Sequence, residues 1–431
     1  MPKHTNEEQR LLERAAAVLP GGSLGNVKLG GEDAFIVREG RGSHIWDVSG
    51  NEYVDYLLGS GPMIMGHANP QVIAAAQEAM THGTTFFTQN AKAVELAERI
   101  VEAVPCADQV RFTSSGTEAT YQALRLARAY RRKDKVLKFE GGFHGMHDYS
   151  LMSLSPSGNT PFPLPEPSSG GIPAAVAETV LVAPFNDLQA ATDLIERYHR
   201  DLAAVIVEPL QRIIAPQPGF LEGLREVTER YGVLLVFDEV VTGFRLGYGG
   251  AQEHYGVTPD LCALGKVVGG GFPLAAVAGR REVMDHYDAT LVGKEDFVPL
   301  IGTLSGNPVA AAAGLATLEQ LRAPGVYEAY HTKGAHLRST LQRLLDEAEI
   351  PAVVSGHEVM FDVYFTPKPV VDYRSTLVDK RLNGVFDREL LERGVFKSPG
   401  KIYVGVCHTD ADVAQTIEAF KAGVQAVVDA G

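Results

Sequence analysis

The sequence predicts an α/β protein: one large domain around a mostly parallel sheet, with a smaller α+β domain assembled from both chain ends. Three observations carry this. Between about Gly66 and Gly302, helix-like segments alternate with compact apolar runs, as βαβ units do. Those runs, such as Ala204-Val205-Ile206-Val207 and Leu234-Leu235-Val236-Phe237, are apolar at successive positions, as strands covered on both faces are. Outside that region the texture changes to short alternating runs and amphipathic helices. The reading divides the chain into residues 1–60, an N-terminal segment and meander of the small domain; 61–320, the large domain; and 321–431, the C-terminal part of the small domain.

In chain order, Glu7 to Val18 reads as a helix stopped by Pro20-Gly21-Gly22, and a glycine-rich passage follows to Gly31. Ala34–Val37, His44–Val48 and Glu52–Tyr56, separated by glycines and by the Ser49-Gly50-Asn51 turn, predict a small antiparallel meander. Strands are then expected at Val110–Phe112, Val136–Phe139, Thr179–Val182, Ala204–Val207 and Leu234–Phe237. A Ser, Pro and Gly-rich stretch from His147 to Ile172 is longer than a simple connection, and such stretches are usually functional lids or mobile segments. Beyond about Gln320, helices over His331–Glu349 and Asp412–Val427 and strands near Met360–Phe365 and Ile402–Val406 complete the small domain.

Composition narrows the function classes. A formal charge of −14 argues against nucleic acid or anionic lipid as partners. The three cysteines, Cys106, Cys262 and Cys407, have no metal-type spacing and fit a reducing compartment. Neither a leader-type apolar segment nor a run of about eighteen apolar residues occurs, so a cytoplasmic protein without a membrane partner is expected. His144 and His147 are close in sequence, but nothing completes a tetrahedral set around them, and no metal is expected.

The chemistry gathers at predicted strand ends. Leu234–Phe237 delivers Asp238 and Glu239, and Leu264-Gly265-Lys266 follows, with three glycines after Val268. A lysine in apolar and glycine company either pairs with an anion, for which Asp238 is available, or gives up its proton and becomes a nucleophile. Ser115-Gly116-Thr117-Glu118 opens a helix after a strand; it reads either as a plain N-cap or as a phosphate cradle. Phe143, between Gly142 and His144-Gly145, is either a core side chain or a ring lying flat on a planar ligand. Glu208, after Val207, adds a carboxylate at a further strand end. Together, a phosphate cradle, a flat aromatic, a carboxylate and an isolated lysine on one sheet edge meet the needs of pyridoxal 5′-phosphate.

The chain resembles the class III pyridoxal-phosphate aminotransferases of fold type I, and most closely their glutamate-1-semialdehyde 2,1-aminomutase branch. The motifs lie in order: Gly61-Pro62-Met63 with Gly66-His67, Ser115–Thr120, Phe139-Glu140-Gly141 with His144-Gly145, Asp238-Glu239-Val240 with Thr242–Arg245, Pro259–Lys266 and Gly302–Pro308. The resemblance implies a seven-stranded sheet and a Schiff-base lysine, Lys266. It implies a phosphate held by Ser115, Gly116 and Thr117, a ring stacked on Phe143 beside His144, and Val240 on the opposite face. Asp238 is implied at the ring nitrogen, with Glu208 near the cofactor. Thr303 is implied to reach the phosphate of a neighbouring subunit, which makes an obligate homodimer with shared sites the expected assembly.

The substrate positions depart from that pattern. Lys28 stands where the aminomutases carry a carboxylate-binding arginine, Ser60 stands where they carry a tryptophan, and the acidic residue near Lys401 is missing. Glu208-Pro209-Leu210-Gln211-Arg212-Ile213 places Arg212 where relatives have glycine, and Arg212 is expected to grip a substrate carboxylate. The reading reached first is therefore a transaminase with an amino-acid donor, including β- or other non-proteinogenic amino acids, and a keto-acid acceptor. Glutamate-1-semialdehyde aminomutase, an amino-acid racemase and a non-catalytic binding protein are the alternatives.

Overall fold

The computed structural model describes residues 4–25, 29 and 33–431. The chain forms two compact units. The first combines Met1–Pro70, Gly325–Pro369 and Val378–Gly431, and the second combines Gln71–Pro324 with the short segment Val370–Leu377.

The first unit opens with the helix Asn6–Val18, N-capped by the Thr5 hydroxyl. Strands β1 (Val37–Arg41), β2 (His44–Asp47) and β3 (Glu52–Asp55) then form the antiparallel meander. Gly50, at φ +88, supplies the left-handed residue of the β2–β3 turn.

The second unit holds the large sheet. Its strands are β4 (Gln109–Thr113), β5 (Lys135–Phe139), β6 (Val180–Ala183), β7 (Leu202–Val207), β8 (Leu234–Glu239), β9 (Leu261–Leu264) and β10 (Ala275–Gly279). Their order across the sheet is β4-β10-β9-β8-β7-β5-β6, and only β10 runs against the others. Every residue of β7 and β8 is buried, which explains why those runs show no polar alternation. The helix Gly116–Arg131 covers one face through Ala119, Ala123, Leu124, Leu126 and Ala127, which join Val136, Ile206, Val236 and Val277 in the core. Each such leucine contributes about 1.5–3 kcal/mol by leaving water.

Two of these strands carry little strand signal. β9 has only four residues, and β10 is Ala-Ala-Val-Ala-Gly, without the branched side chains that mark strands. Close approach explains the small residues: a Cβ on Gly279 would meet Leu261 of β9.

The stretch after His147 is braced from within. A short helix, Asp148–Leu151, starts it, and Met152 bridges Pro167. Glu166 then organises the remainder: its carboxylate accepts from Ser157 and Thr160, its amide donates to Ser153 Oγ and its carbonyl accepts from Ser153 N–H. The loop is long because it closes on itself.

The chain returns to the first unit with β11 (Val353–His357), β12 (Met360–Tyr364), β13 (Val395–Phe396) and β14 (Ile402–Tyr403). β11, β12 and β14 form an antiparallel sheet, while β13 pairs in parallel with β3. The terminal helix Asp410–Ala430 starts with a capping box, Thr409 with Asp412, and Asp412 also accepts from Ser43.

Candidate active site

The carboxyl ends of β4, β5, β7, β8 and β9 lie on one edge of the large sheet, where open α/β sheets bind ligands. After β4, Ser115 N-caps the helix through Glu118 N–H (3.2 Å), and Glu118 reaches back to Ser114 N–H (2.7 Å). The capping role does not exhaust the turn. The Ser115 hydroxyl accepts there and keeps its own proton to donate, and the first amides of a helix have no partner within it. Thr117 Oγ1 accepts from Met146 N–H (3.2 Å), so the loop after β5 packs on the helix start.

That loop is built on glycines. Gly145, at φ +92, lies so close that a Cβ would sit 2.6 Å from Thr117 Cα. Phe143 is 37% exposed and is therefore no core side chain; its amide donates to Glu208 Oε2 (2.8 Å), from the end of β7. His144 is buried and donates through Nδ1 to Asp238 Oδ2 (2.8 Å). Burial pushes its pKa down to about 3, so the ring is neutral and Nε2 carries a lone pair. Asp238 Oδ1 takes Val240 N–H (3.1 Å). Val240 stands between two glycines: a Cβ on Gly116 would lie 2.8 Å from its Cγ1, and one on Gly265 would lie 3.1 Å away. Lys266 follows Gly265 at the head of a short 3₁₀ turn and holds φ +50, a left-handed conformation that costs a non-glycine residue about 1–3 kcal/mol. Strain of that kind persists where surrounding structure fixes it.

The remaining predicted residues are dispersed. Arg212 is exposed on a tight turn closed by Gln211 and Ile214, at φ +61, and its Cζ lies 5.3 Å from the Phe143 ring centroid. Thr303 is exposed and lines a separate cavity of about 480 Å³ with Phe86, Phe87 and Ile301. Ser60 belongs to the first unit, exposed at φ +67, and Lys28 lies outside the described residues.

With this geometry in place, relatives are informative. The family model for class III aminotransferases matches residues 29–423. The chain is a class III aminotransferase family member. It is 43% identical over 425 residues to a protein named glutamate-1-semialdehyde 2,1-aminomutase from Desulfitobacterium hafniense, covering 96% of this chain and 97% of the relative. Among solved structures, an omega-transaminase from Sphaerobacter thermophilus superposes with a TM-score of 0.93 at 36% identity, covering 97% of each chain. A β-phenylalanine aminotransferase from Variovorax paradoxus gives 0.87 at 32%, covering 96% of this chain and 93% of its own. The fold is fold type I, and the cofactor of this class III enzyme is pyridoxal 5′-phosphate. The relatives' names favour the aminomutase alternative over the transaminase put first from sequence.

The residues present fit that cofactor. His144 Nε2 and Gln211 Oε1 are buried polar atoms with no hydrogen-bond partner among the described residues, and both lie beside Gly142. A polar ring substituent would satisfy such groups, while the helix start offers donors to a phosphate. Gln211 escaped the sequence reading, although it precedes Arg212. So did Lys138, wholly buried in β5, whose Nζ donates to the carbonyls of Gly142 (3.1 Å), Ser150 (2.6 Å) and Met152 (2.6 Å).

In the first unit, His331, His357 and Glu358 bring their donor atoms within 4.8 Å of one another. Metal-bound histidines donate their second nitrogen to an acceptor. Here His357 Nδ1 instead accepts from Val359 N–H (3.4 Å), and the buried His331 Nε2 atom has no hydrogen-bond partner among the described residues. The cluster reads as a hydrogen-bonded pair, His331 with Glu358, and that hydrogen bond holds the Glu358 carboxyl down to about 2.

Proposed function

We propose that the enzyme moves an amino group on a substrate that carries a carboxylate, with Lys266 as the catalytic amine and Arg212 as the carboxylate anchor. The observation that carries this is the exposed Arg212 guanidinium held over Phe143 at the edge where Asp238, His144 and Lys266 gather. Its fork suits a carboxylate, and a charge-assisted pair there contributes about 1.5–3 kcal/mol.

Bound pyridoxal phosphate supplies an aldehyde for amines and an electron-withdrawing ring. Ser115, Gly116 and Thr117 offer hydroxyl and amide donors to its phosphate. Asp238, supported by His144 Nδ1–H and Val240 N–H, presents an anion to the protonated ring nitrogen. Neutral His144 cannot compete for that charge. Val240 fills the space between Gly116 and Gly265 and would support one face of the bound ring, with Phe143 available to the other. Glu208 holds the Phe143 amide rather than touching the reacting atoms. The Lys266 amine would be the base that moves the proton at the substrate Cα.

The curated relatives' names support intramolecular transfer, on glutamate 1-semialdehyde, ahead of transfer between two molecules. A specific feature favours the second form: the exposed Arg212 guanidinium beside Phe143 suits a carboxylate donor such as a β-amino acid, in line with the Variovorax relative's name. One experiment separates them. Purified enzyme is given glutamate 1-semialdehyde alone, then a panel of α-, β- and ω-amino donors with pyruvate or 2-oxoglutarate. Turnover of the semialdehyde without an acceptor establishes the mutase, and acceptor-dependent turnover of a donor establishes the transaminase. Lys266→Ala should abolish both and remove the visible absorbance of the holoenzyme; retention of either would refute its role.

The assembly proposed is a homodimer. Phe86, Phe87 and Ile301, which line the cavity with Thr303, and the neighbouring Leu304 expose 49%, 68%, 83% and 51% of their surface, and clustered exposed apolar side chains of this kind suit an interface between subunits. Light scattering should give twice the chain mass, and Ile301→Asp should shift it toward one.

A further inference from the structure

The segment Val370–Leu377 belongs to the second unit although its flanking chain belongs to the first. It crosses the loops that carry the site. Arg374 makes a two-point ion pair with Glu140, Nε to Oε2 at 2.8 Å and Nη2 to Oε1 at 3.0 Å. The same Nη2 donates to Thr160 O (2.6 Å), and the guanidinium stacks 4.2 Å from the Phe162 ring centroid. Tyr373 lies against Gly141, where no Cβ would fit, and its hydroxyl donates to Pro156 O (3.0 Å). Val371 O accepts from Asn186, which also donates to Ala215 O beyond the Arg212 turn.

Glu140 is the junction. Its carboxylate holds Arg374, while its carbonyl accepts from Gln211 Nε2 (2.8 Å), the residue that opens the Arg212 turn. Three residues on, the Phe143 amide is fixed to Glu208. We propose that Arg374 and Tyr373 are positioning residues: through Glu140, Gly141 and Gln211 they hold Phe143 against the cofactor and set the Arg212 guanidinium for a substrate carboxylate. This rests on the reading of Arg212 as the carboxylate anchor. A surface pair of this length would matter little alone; the Glu140 side chain is only 4% exposed, and the Arg374 fork ties two loops to one side chain.

The test uses holoenzyme. Parent, Arg374→Met, Arg374→Lys, Glu140→Gln and Arg212→Met are compared by visible circular dichroism of the bound cofactor and by the donor-driven loss of the visible band in stopped flow. A β-amino acid and an aralkyl amine without a carboxylate serve as donors. Arg374→Met and Glu140→Gln should weaken the dichroic band and raise half-saturation for the amino acid about tenfold, leaving the amine and the saturating rate within about threefold. Arg374→Lys should recover part of both. If Arg374→Met matches the parent in band and half-saturation while Arg212→Met does not, the strap proposal fails and the anchor stands. If Arg212→Met leaves half-saturation unchanged while Arg374→Met still alters the band, the anchor fails and the hold on Phe143 stands. A smaller active fraction with unaltered half-saturation and band shape would mean a purely structural strap and would overturn the proposal.

Discussion

Lys138 and Lys266 present the same sequence signal, one ammonium among apolar neighbours, and the structure gives them opposite roles. Lys138 is 1% exposed and its three donors meet three main-chain carbonyls, which makes it a brace under the Phe143–His144 loop. Lys266 is only partly buried and stands at the sheet edge in a strained conformation. What separates them is the acceptor set, and acceptors from residues 142, 150 and 152 cannot be read from a strand pattern. Lys138→Met should leave those carbonyls buried and unmet, costing about 3 kcal/mol or more by denaturant titration and loosening the cofactor. Gly116 makes a sharper test of the cradle. Alanine there brings its Cβ to 2.8 Å from Val240 Cγ1, with ordinary helical backbone otherwise, so Gly116→Ala should weaken cofactor retention on dialysis far more than it lowers melting temperature. Equal retention by mutant and parent would remove Val240 and Gly116 from the cofactor's surroundings.

Among the elements, those with long, buried, branched runs were legible, β7 and β8 above all, because a strand covered on both faces has to be apolar throughout. β9 and β10 were not, since their signal is replaced by the small residues that close packing demands. The Val370–Leu377 strap was invisible for a different reason: it has no periodicity, and its partners outside the segment lie 185 to 234 positions earlier. The small sheet offers its own test of an element held by charge. Lys397, next to β13, is 6% exposed and sits 2.7 Å from both Asp362 of β12 and Asp387 of the helix Arg381–Glu392. Removing one member of a buried ion cluster strands the others in low dielectric, so Lys397→Met should destabilise by about 3–5 kcal/mol. Asp387→Asn, with Asp362 still in place, should cost clearly less; a larger loss than Lys397→Met would invert the assignment.

For the whole molecule, motif order in the sequence was enough for family, fold and cofactor, because four of the six motifs stand at the ends of β4, β5, β8 and β9 and the sheet order brings those ends to one edge. Substrate choice was less legible: Arg212, Ser60 and Lys28 depart from the pattern singly, and no repeat or period links them. Stability against acid is a property of the molecule as a whole that the structure does fix. His144 and His408 are buried and His147 is half-buried, and loss of solvation lowers their pKa values to about 3, 4 and 3 in that order. A depressed histidine contributes stability that is complete above its unfolded value near 6.5 and is lost as pH falls toward the folded value. Glu239 and Asp362 work in the other direction: burial raises each to about 6, so their contributions are present in acid and lost on going up through that pH. The three histidines outnumber these two carboxyls, and the melting temperature should fall between pH 6.5 and 5. His408 isolates the effect. Its Nδ1 accepts Gly405 N–H (2.8 Å), Nε2 faces Asp55 O (3.2 Å) and the ring stacks on Tyr56 at 4.2 Å, so an added proton would set two donors against each other. One unit below 6.5, that single histidine costs about 1.4 kcal/mol. His408→Gln can keep one acceptor and one donor without titrating, so it should recover about 2–4 °C of the acid loss while remaining less stable than the parent at pH 8. A variant whose melting curve runs parallel to the parent's from pH 8 to 5 would show that His408 takes up its proton without cost.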